Sequence, residues 1–352
     1  MLIIDAHLDL SWNAVGWNRD LTQPVAEIRA AEADMTGKGR GRGTVALPDM
    51  RRGQIGIAFA TVLARSNPNG RSSIDFRNQE IACATAQGQL AYYRLLERRG
   101  VCRMLRDWPS LQQSFTEWQN APDTAPFGFI FSMEGADPIL SPEHAAEWFD
   151  DGLRAIGLAH YGPSAYAHGT GCEGGLKPSG RELLRVMQQL GMVLDLTHLA
   201  DQSFWEAIEL FGGPVLASHN NCRSIAPDQR QFTDDQIRAL IDRDAVIGAA
   251  LDSWMIVPGW QRGGTDNPRV VLEDVVKHID HICQLAGNTR HVAIGSDLDG
   301  GFGTEQSPED LDTIADMQKF APLLAQHGYT NDDVAAIFHG NWMRFFKRAW
   351  NA

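Results

Sequence analysis

The chain is poor in the features that would send it out of the cell or into a membrane. No stretch reaches the roughly 18 uninterrupted apolar residues of a spanning helix. The run from Ala245 to Val257 is broken by Asp252. The apolar start, Met1-Leu2-Ile3-Ile4, meets Asp5 at once and has no basic flank. A chain without a secretory leader is therefore expected, and Lys347-Arg348-Ala349-Trp350-Asn351-Ala352 is no lipid-anchor signal. The five cysteines (Cys83, Cys102, Cys172, Cys222 and Cys283) are odd in number and form no Cys-x-x-Cys pair. Such usage predicts free thiols in a reducing cytoplasm rather than a disulfide framework. Bases are outnumbered, 31 against 44 acids, for a net charge of −13. That argues against a nucleic-acid or anionic-membrane partner, although a local basic pocket is compatible with it. No Gly-x-Gly-x-x-Gly follows the first apolar run, where a dinucleotide-binding sheet often carries one.

What is present is a large apolar fraction, 43% of 352 residues, enough for a sizeable core. Eight short apolar runs begin at Leu2, Ile55, Phe127, Leu153, Met192, Val215, Ala245 and Val292. Several are continuously apolar, as buried parallel strands are. Helix-like stretches lie between most of them: Gln79 to Arg99, a Ser-x-x-Glu capping-box start at Ser179, Thr233 to Ile241, Val271 to Leu285 and Pro308 to Gln326. Alternation of this kind predicts right-handed βαβ units, and eight of them predict a closed (β/α)8 TIM-like barrel. We expect one domain spanning 1–352, with insertions after strands 1 and 4. The first, Arg19 to Arg52, is Gly/Arg-rich around Gly37 to Gly43 and reads as a solvated or mobile loop. The second is Ser164 to Pro178. The segment Asn331 to Trp350 reads as one or two helices closing the barrel.

In such barrels the active site sits at the C-terminal ends of the strands. Strand 1 ends in His7 and Asp9, two residues apart and so on one face of a strand. Glu134 ends strand 3, His160 strand 4, His198 strand 5 and His219 strand 6, while Asp297 and Asp299 follow strand 8. A lone histidine at such a place is usually hydrogen-bonded, and a lone Asp before Gly is usually a turn residue. Six strand ends sharing these residue types on one face need a common cause, and a metal centre supplies it. Three histidines and two carboxylates exceed what one tetrahedral zinc with an open position takes, so two ions are expected, with a carboxylate between them. Mixed nitrogen and oxygen ligands suit zinc, with manganese or cobalt as substitutes.

The segments Asp5-Ala6-His7-Leu8-Asp9, Ser132 to Gly135, Gly191 to His198, Ser218 to Arg223, Gly295 to Gly300 and Gly340 to Phe346 occur in an order that resembles the renal or membrane dipeptidase family of metallopeptidases, within the amidohydrolase superfamily. The resemblance spans essentially the whole chain. It implies a binuclear zinc dipeptidase that cleaves L-Xaa-L/D-Xaa dipeptides by attack of a hydroxide shared by the ions. His7 and Asp9 would bind one ion and His198 and His219 the other, with Glu134 bridging. Asp297 would be the acid/base. His160 would polarise the carbonyl, and Arg230 would hold the substrate's C-terminal carboxylate.

Arg223 is a competing clamp, with structural pairing as its better reading. Asp299 is expected as a turn or supporting residue. Asp5 and Asp195 are expected either to orient ligand histidines or to satisfy backbone donors. His144, His168, His278, His281, His291, His327 and His339 read as ordinary. The alternatives are another amide hydrolase on the same site, acting on a β-lactam or cyclic amide, and a non-catalytic metal-binding barrel. The oligomeric state is open, a homodimer included.

Overall fold

A computed structural model describes residues 1–350. Eight parallel strands follow the expected runs: β1 (Ile3–Leu8), β2 (Ile55–Val62), β3 (Phe127–Glu134), β4 (Ala155–Gly157), β5 (Val193–Asp195), β6 (Val215–Leu216), β7 (Ile247–Ala249) and β8 (Val292–Ile294). Their spatial order is their chain order, running from β7 and β8 through β1 round to β6. The ring closes between β6 and β7 through the Ala217–Ile247 bridge, with Ala217 N donating to Val246 O (3.0 Å) and Gly248 N to Ala217 O (2.8 Å). Glycine is required at this seam: a Cβ at Gly248 or Gly295 would come within 2.0 or 1.7 Å of the Ser218 carbonyl oxygen.

β2 and β3 are buried along their whole length, which is why they read as unbroken apolar runs. The upper half of β3 pairs with β4. Its lower half pairs with an additional parallel strand, Cys102–Leu105, that fills the gap left because β4 is short. Cys-Arg-Met-Leu is too brief and too mixed to announce itself as a strand. Inward side chains of the strands, among them Ile4, Phe59, Ile130 and Val193, meet Trp342, Phe345 and Phe346 of the C-terminal helix (Asn341–Trp350). That helix plugs the end of the barrel opposite the strand C-termini. Asn341 Nδ2 bonds Val292 O (2.8 Å) and Trp342 Nε1 bonds Ile294 O (3.0 Å), fixing it to β8.

Three local readings are corrected. The helix expected from Pro308 to Gln326 begins only at Ile314, as a 3-10 turn to Lys319 followed by an α-helix over Phe320–Gln326. The helix expected to begin with a capping box at Ser179 runs from Pro178 to Leu190 with Lys177 at its N-cap. The Ser179 hydroxyl instead donates to Ala165 O (2.7 Å). The segment from Arg19 to Arg52 is not a solvated loop: it carries short helices Val25–Ala31 and Leu47–Arg52 and folds over the barrel mouth. Arg19 is buried and bonds Glu32 Oε1 (2.9 Å) and Asp299 Oδ2 (3.1 Å). The polar composition of the segment places Arg19 at the surface, whereas two buried carboxylates, Glu32 within the segment and Asp299 beyond β8, take it up. Among the described residues no helix is long and apolar enough to cross a membrane.

Candidate active site and metal centre

The strand ends turn their side chains inward by a repeated device. Asp5 Oδ1 accepts from His7 N (3.2 Å) and from Ser296 N (2.8 Å), and the β1–β2 register shifts between Asp5 and Leu8. Asp195 Oδ1 does the same on β5, accepting from Thr197 N (3.0 Å) and Ser218 N (3.0 Å). Each aspartate satisfies backbone donors where pairing breaks, and the residue beyond the break is a histidine at the mouth. His198 and Asp297 have φ of 67° and 58°, left-handed conformations rare for residues with a Cβ. This strain is concentrated where side chains must be aimed.

His7, Asp9, Glu134, His198 and His219 are all buried and converge. Glu134 Oε1 lies 2.9 Å from His198 Nε2 and 3.3 Å from His219 Nε2. Its other oxygen, Oε2, lies 3.6 Å from His7 Nε2. The His7 nitrogen is in turn 3.9 Å from Asp9 Oδ2 and 3.8 Å from Asp297 Oδ1. Glu134 therefore offers one oxygen to each of two groups of ligand-type atoms, and three triplets drawn from these residues and His160 have their donor atoms within 4.8 Å of one another.

The donor set fits divalent cations. His198 Nδ1 meets Thr170 Oγ1 (3.0 Å), whose proton is directed to His198 O (3.2 Å), so the ring nitrogen is the donor and Nε2 carries a lone pair. His219 Nδ1 lies 2.9 Å from Ser218 Oγ, and a proton on Nδ1 there would leave the Nε2 lone pair free. The two Nε2 atoms face each other at 3.1 Å, an arrangement that lone pairs alone would oppose and a cation would relieve. His7 Nε2 and Asp9 Oδ1 are buried without a partner, a cost that ligation removes.

Charge points the same way. Burial raises the Glu134 carboxyl well above its usual range, with Asp9 and Asp297 adding to the effect. Burial, then Asp9 and Asp252, hold Asp297 up at about 7. Burial opposes protonation of His7, but Glu134, Asp9 and Asp297 together prevail and raise it to about 10. His160, His198 and His219 are pushed down by burial and by nearby cations, Arg230 among them. The carboxylates form an anionic hollow that takes up positive charge, beside neutral imidazoles free to ligate.

Above these residues lies a cavity of about 210 Å³, whose lining includes His160, Arg230 and Asp297. It is smaller than the roughly 300–1,000 Å³ of pockets for drug-sized ligands, a size for a short substrate. Arg230 is buried; its Nη2 donates to His219 O (2.9 Å) and its Nη1 to Asn220 Oδ1, leaving Nε without a partner. Arg223, the competing clamp, is committed elsewhere: it bonds both oxygens of Asp201 (2.9 and 2.7 Å). Asp299 accepts from Thr44 N (2.7 Å), Val45 N (3.1 Å) and Arg19, so it ties down the segment after β1. Of the histidines read as ordinary, His278 is buried and joins two mouth loops, accepting from Cys222 N (3.0 Å) and bonding Ile256 O (2.8 Å).

Sequence reasoning missed several lining residues. Asp252 stands just past β7, and its only signal was that it interrupts the apolar run from Ala245 to Val257. Lys38, Tyr161 and Arg262 also reach the cavity from loops, where no periodicity marks them.

Comparison with known proteins agrees with this architecture. The chain is 30% identical over 176 residues to an uncharacterised protein of the pqqA 5′ region of Klebsiella pneumoniae, covering 50% of this chain and 62% of that protein. It is 27% identical over 223 residues to an uncharacterised dipeptidase of Schizosaccharomyces pombe, covering 62% and 52% respectively. The chain thus spans between half and two thirds of the length of these curated relatives. A solved metallopeptidase of Rhodobacter sphaeroides, liganded with a phosphinate mimic of the dipeptide L-Ala-D-Ala, shares the fold with a TM-score of 0.79 at 22% identity, covering 99% of both chains. The family model described as membrane dipeptidase, peptidase family M19, matches residues 1–352, and the chain belongs to that family.

Proposed function

We propose that the protein is a metal-dependent dipeptidase holding two divalent ions, zinc by preference and manganese or cobalt as substitutes, and that it hydrolyses L-Xaa-L/D-Xaa dipeptides. The observation that carries this reading is the buried Arg230, with an unspent Nε, on the wall of a small cavity floored by the Glu134 cluster. A guanidinium there recognises a carboxylate, and the cavity's size limits how much chain can lie beyond it. The dipeptide mimic held by the Rhodobacter metallopeptidase suits the same substrate class.

In this reading His7 and Asp9 would hold one ion and His198 and His219 the other, with Glu134 offering an oxygen to each side. Bound divalent ions lower the pKa of water and polarise a carbonyl oxygen. Arg230 fixes the substrate by its C-terminal carboxylate, so the scissile carbonyl is presented at the cluster rather than at random. Asp297, beside His7, takes a proton from the attacking water and passes it to the leaving amine. His160, kept neutral by burial, donates a hydrogen bond to the oxygen that becomes negative. A reducing, cytoplasmic setting is part of the same proposal.

The rival reading, hydrolysis of a β-lactam or cyclic amide, gives a buried guanidinium less to do when the substrate is neutral. The test compares dipeptides with their C-terminal amides on zinc-loaded protein, in wild type and Arg230→Ala. We expect amidation or the substitution to lower kcat/KM by roughly a hundredfold or more. Equal cleavage of acid and amide would remove Arg230 from its role and favour the cyclic-amide reading.

A further inference from the structure

Arg230 accounts for one carboxylate, yet the cavity wall carries more positive charge than one carboxylate uses. Lys38, from the segment after β1, and Arg262, from the loop after β7, line the same cavity. Among the described residues neither meets a carboxylate at ion-pair distance. The Lys38 ammonium lies 5.8 Å from the centre of the Phe302 ring. Arg262 is better fixed: its guanidinium lies 4.3 Å from the Trp254 ring centre and 5.3 Å from that of Tyr161, and Nη2 donates to Tyr161 Oη (2.6 Å). Of the five N–H donors of a guanidinium, this leaves most unspent and held at the mouth.

Glu305, which already accepts from Gly39 N (2.9 Å), faces Lys38, and Asp252 faces both cations. The Asp252 oxygens already accept from Gln306 Nε2 (2.7 Å) and Trp254 Nε1 (2.6 Å). It is therefore a positioning residue that steadies the Trp254 platform under Arg262, and it is poorly placed to take a ligand's cation. With Asp9, Glu134 and Asp297 directed at the cluster, the rest of the wall has three cations, Lys38, Arg230 and Arg262, against one anion, Asp252. A zwitterionic dipeptide with a neutral side chain leaves that surplus unanswered, whereas a side-chain carboxylate answers it.

We propose that Arg262, assisted by Lys38, selects dipeptides bearing an acidic side chain of the aspartate or glutamate kind. The proposal rests on the dipeptidase reading and refines its substrate class. The test uses the zinc-loaded full chain with matched sets of Ala-Ala, Ala-Glu, Glu-Ala, Ala-Lys and Lys-Ala in L,L and L,D forms. An acidic member should have the highest kcat/KM. Arg262→Gln should lower the acidic-to-neutral ratio roughly three- to tenfold, Lys38→Gln should lower it less, and Arg262→Glu should move the preference toward lysine. A wild type that prefers neutral or basic dipeptides, or an Arg262→Gln variant that loses activity on all of them equally, overturns the proposal while leaving the dipeptidase reading intact. If no dipeptide is cleaved, it is the dipeptidase reading that fails. Tryptophan fluorescence titration then decides the anion site on its own: glutarate binding more tightly than butyrate, with the difference lost in Arg262→Gln, supports it, and equal binding overturns it.

Discussion

At the plugged end of the barrel, Ile4 and Phe59 pack against Trp342 and Phe346, and the Trp342 indole is bonded to Ile294 O. At the mouth, a few residues further along the same strands, His7 and Asp9 are just as buried but keep polar atoms without partners. One end gains stability from apolar burial and satisfied bonds. The other concentrates like charges, left-handed residues and unspent donors that stabilise nothing until something binds. Stability and chemistry are thus divided between the ends, and substitutions should separate them.

The largest separation is expected at the ligands. His219→Ala should lower kcat/KM by about a thousandfold or more and reduce bound metal, while the metal-free protein unfolds no more easily than wild type. Metal analysis with thermal melts of the chelated protein checks this; a collapse of the chelated fold would show that His219 is structural. At the opposite end, Trp342→Ala should cost about 3–5 kcal/mol in stability, read as a shifted denaturant midpoint. Its kcat/KM, measured where it remains folded, should stay near wild type. Loss of activity without loss of stability would break the division.

A third expectation concerns acid. His278 is held neutral, and burial lowers its pKa to about 4 from an ordinary 6.5. Between these values the unfolded chain binds a proton that the folded chain does not. Stability present in full above about pH 6.5 is therefore lost as pH falls toward 4, by ~3 kcal/mol. Unfolding of wild type and His278→Gln at pH 4.5 and 7 should show the steeper loss in wild type, and parallel losses would assign it to other groups. The smallest effect is expected at Thr170→Val, which removes the hydroxyl behind His198. Zinc affinity should fall roughly tenfold, measured by competition with a chromophoric chelator.

The barrel could be read from the chain because eight buried strands leave eight apolar runs, and most intervening helices keep their spacing. The cluster could be read because its residues are chemically unusual at strand ends. Position along the chain, however, carries no information about approach in space. Arg19 and Glu32 look like surface charges until Asp299 draws the segment over the mouth. Lys38 and Arg262 sit far apart in loops without periodicity, and only the fold brings them to one cavity. The left-handed φ of His198 and Asp297 leaves only a weak trace in residue type: histidine and aspartate are enriched there among residues with a Cβ, but glycine, the usual marker, is absent at both.

The account depends most on the mouth being a two-ion centre. Chelated protein titrated with zinc, with dipeptide hydrolysis followed at each addition, tests this directly. Activity should be absent at the start and should reach its plateau at about two equivalents per chain. Full activity at one equivalent, or hydrolysis by the metal-free protein, would contradict it.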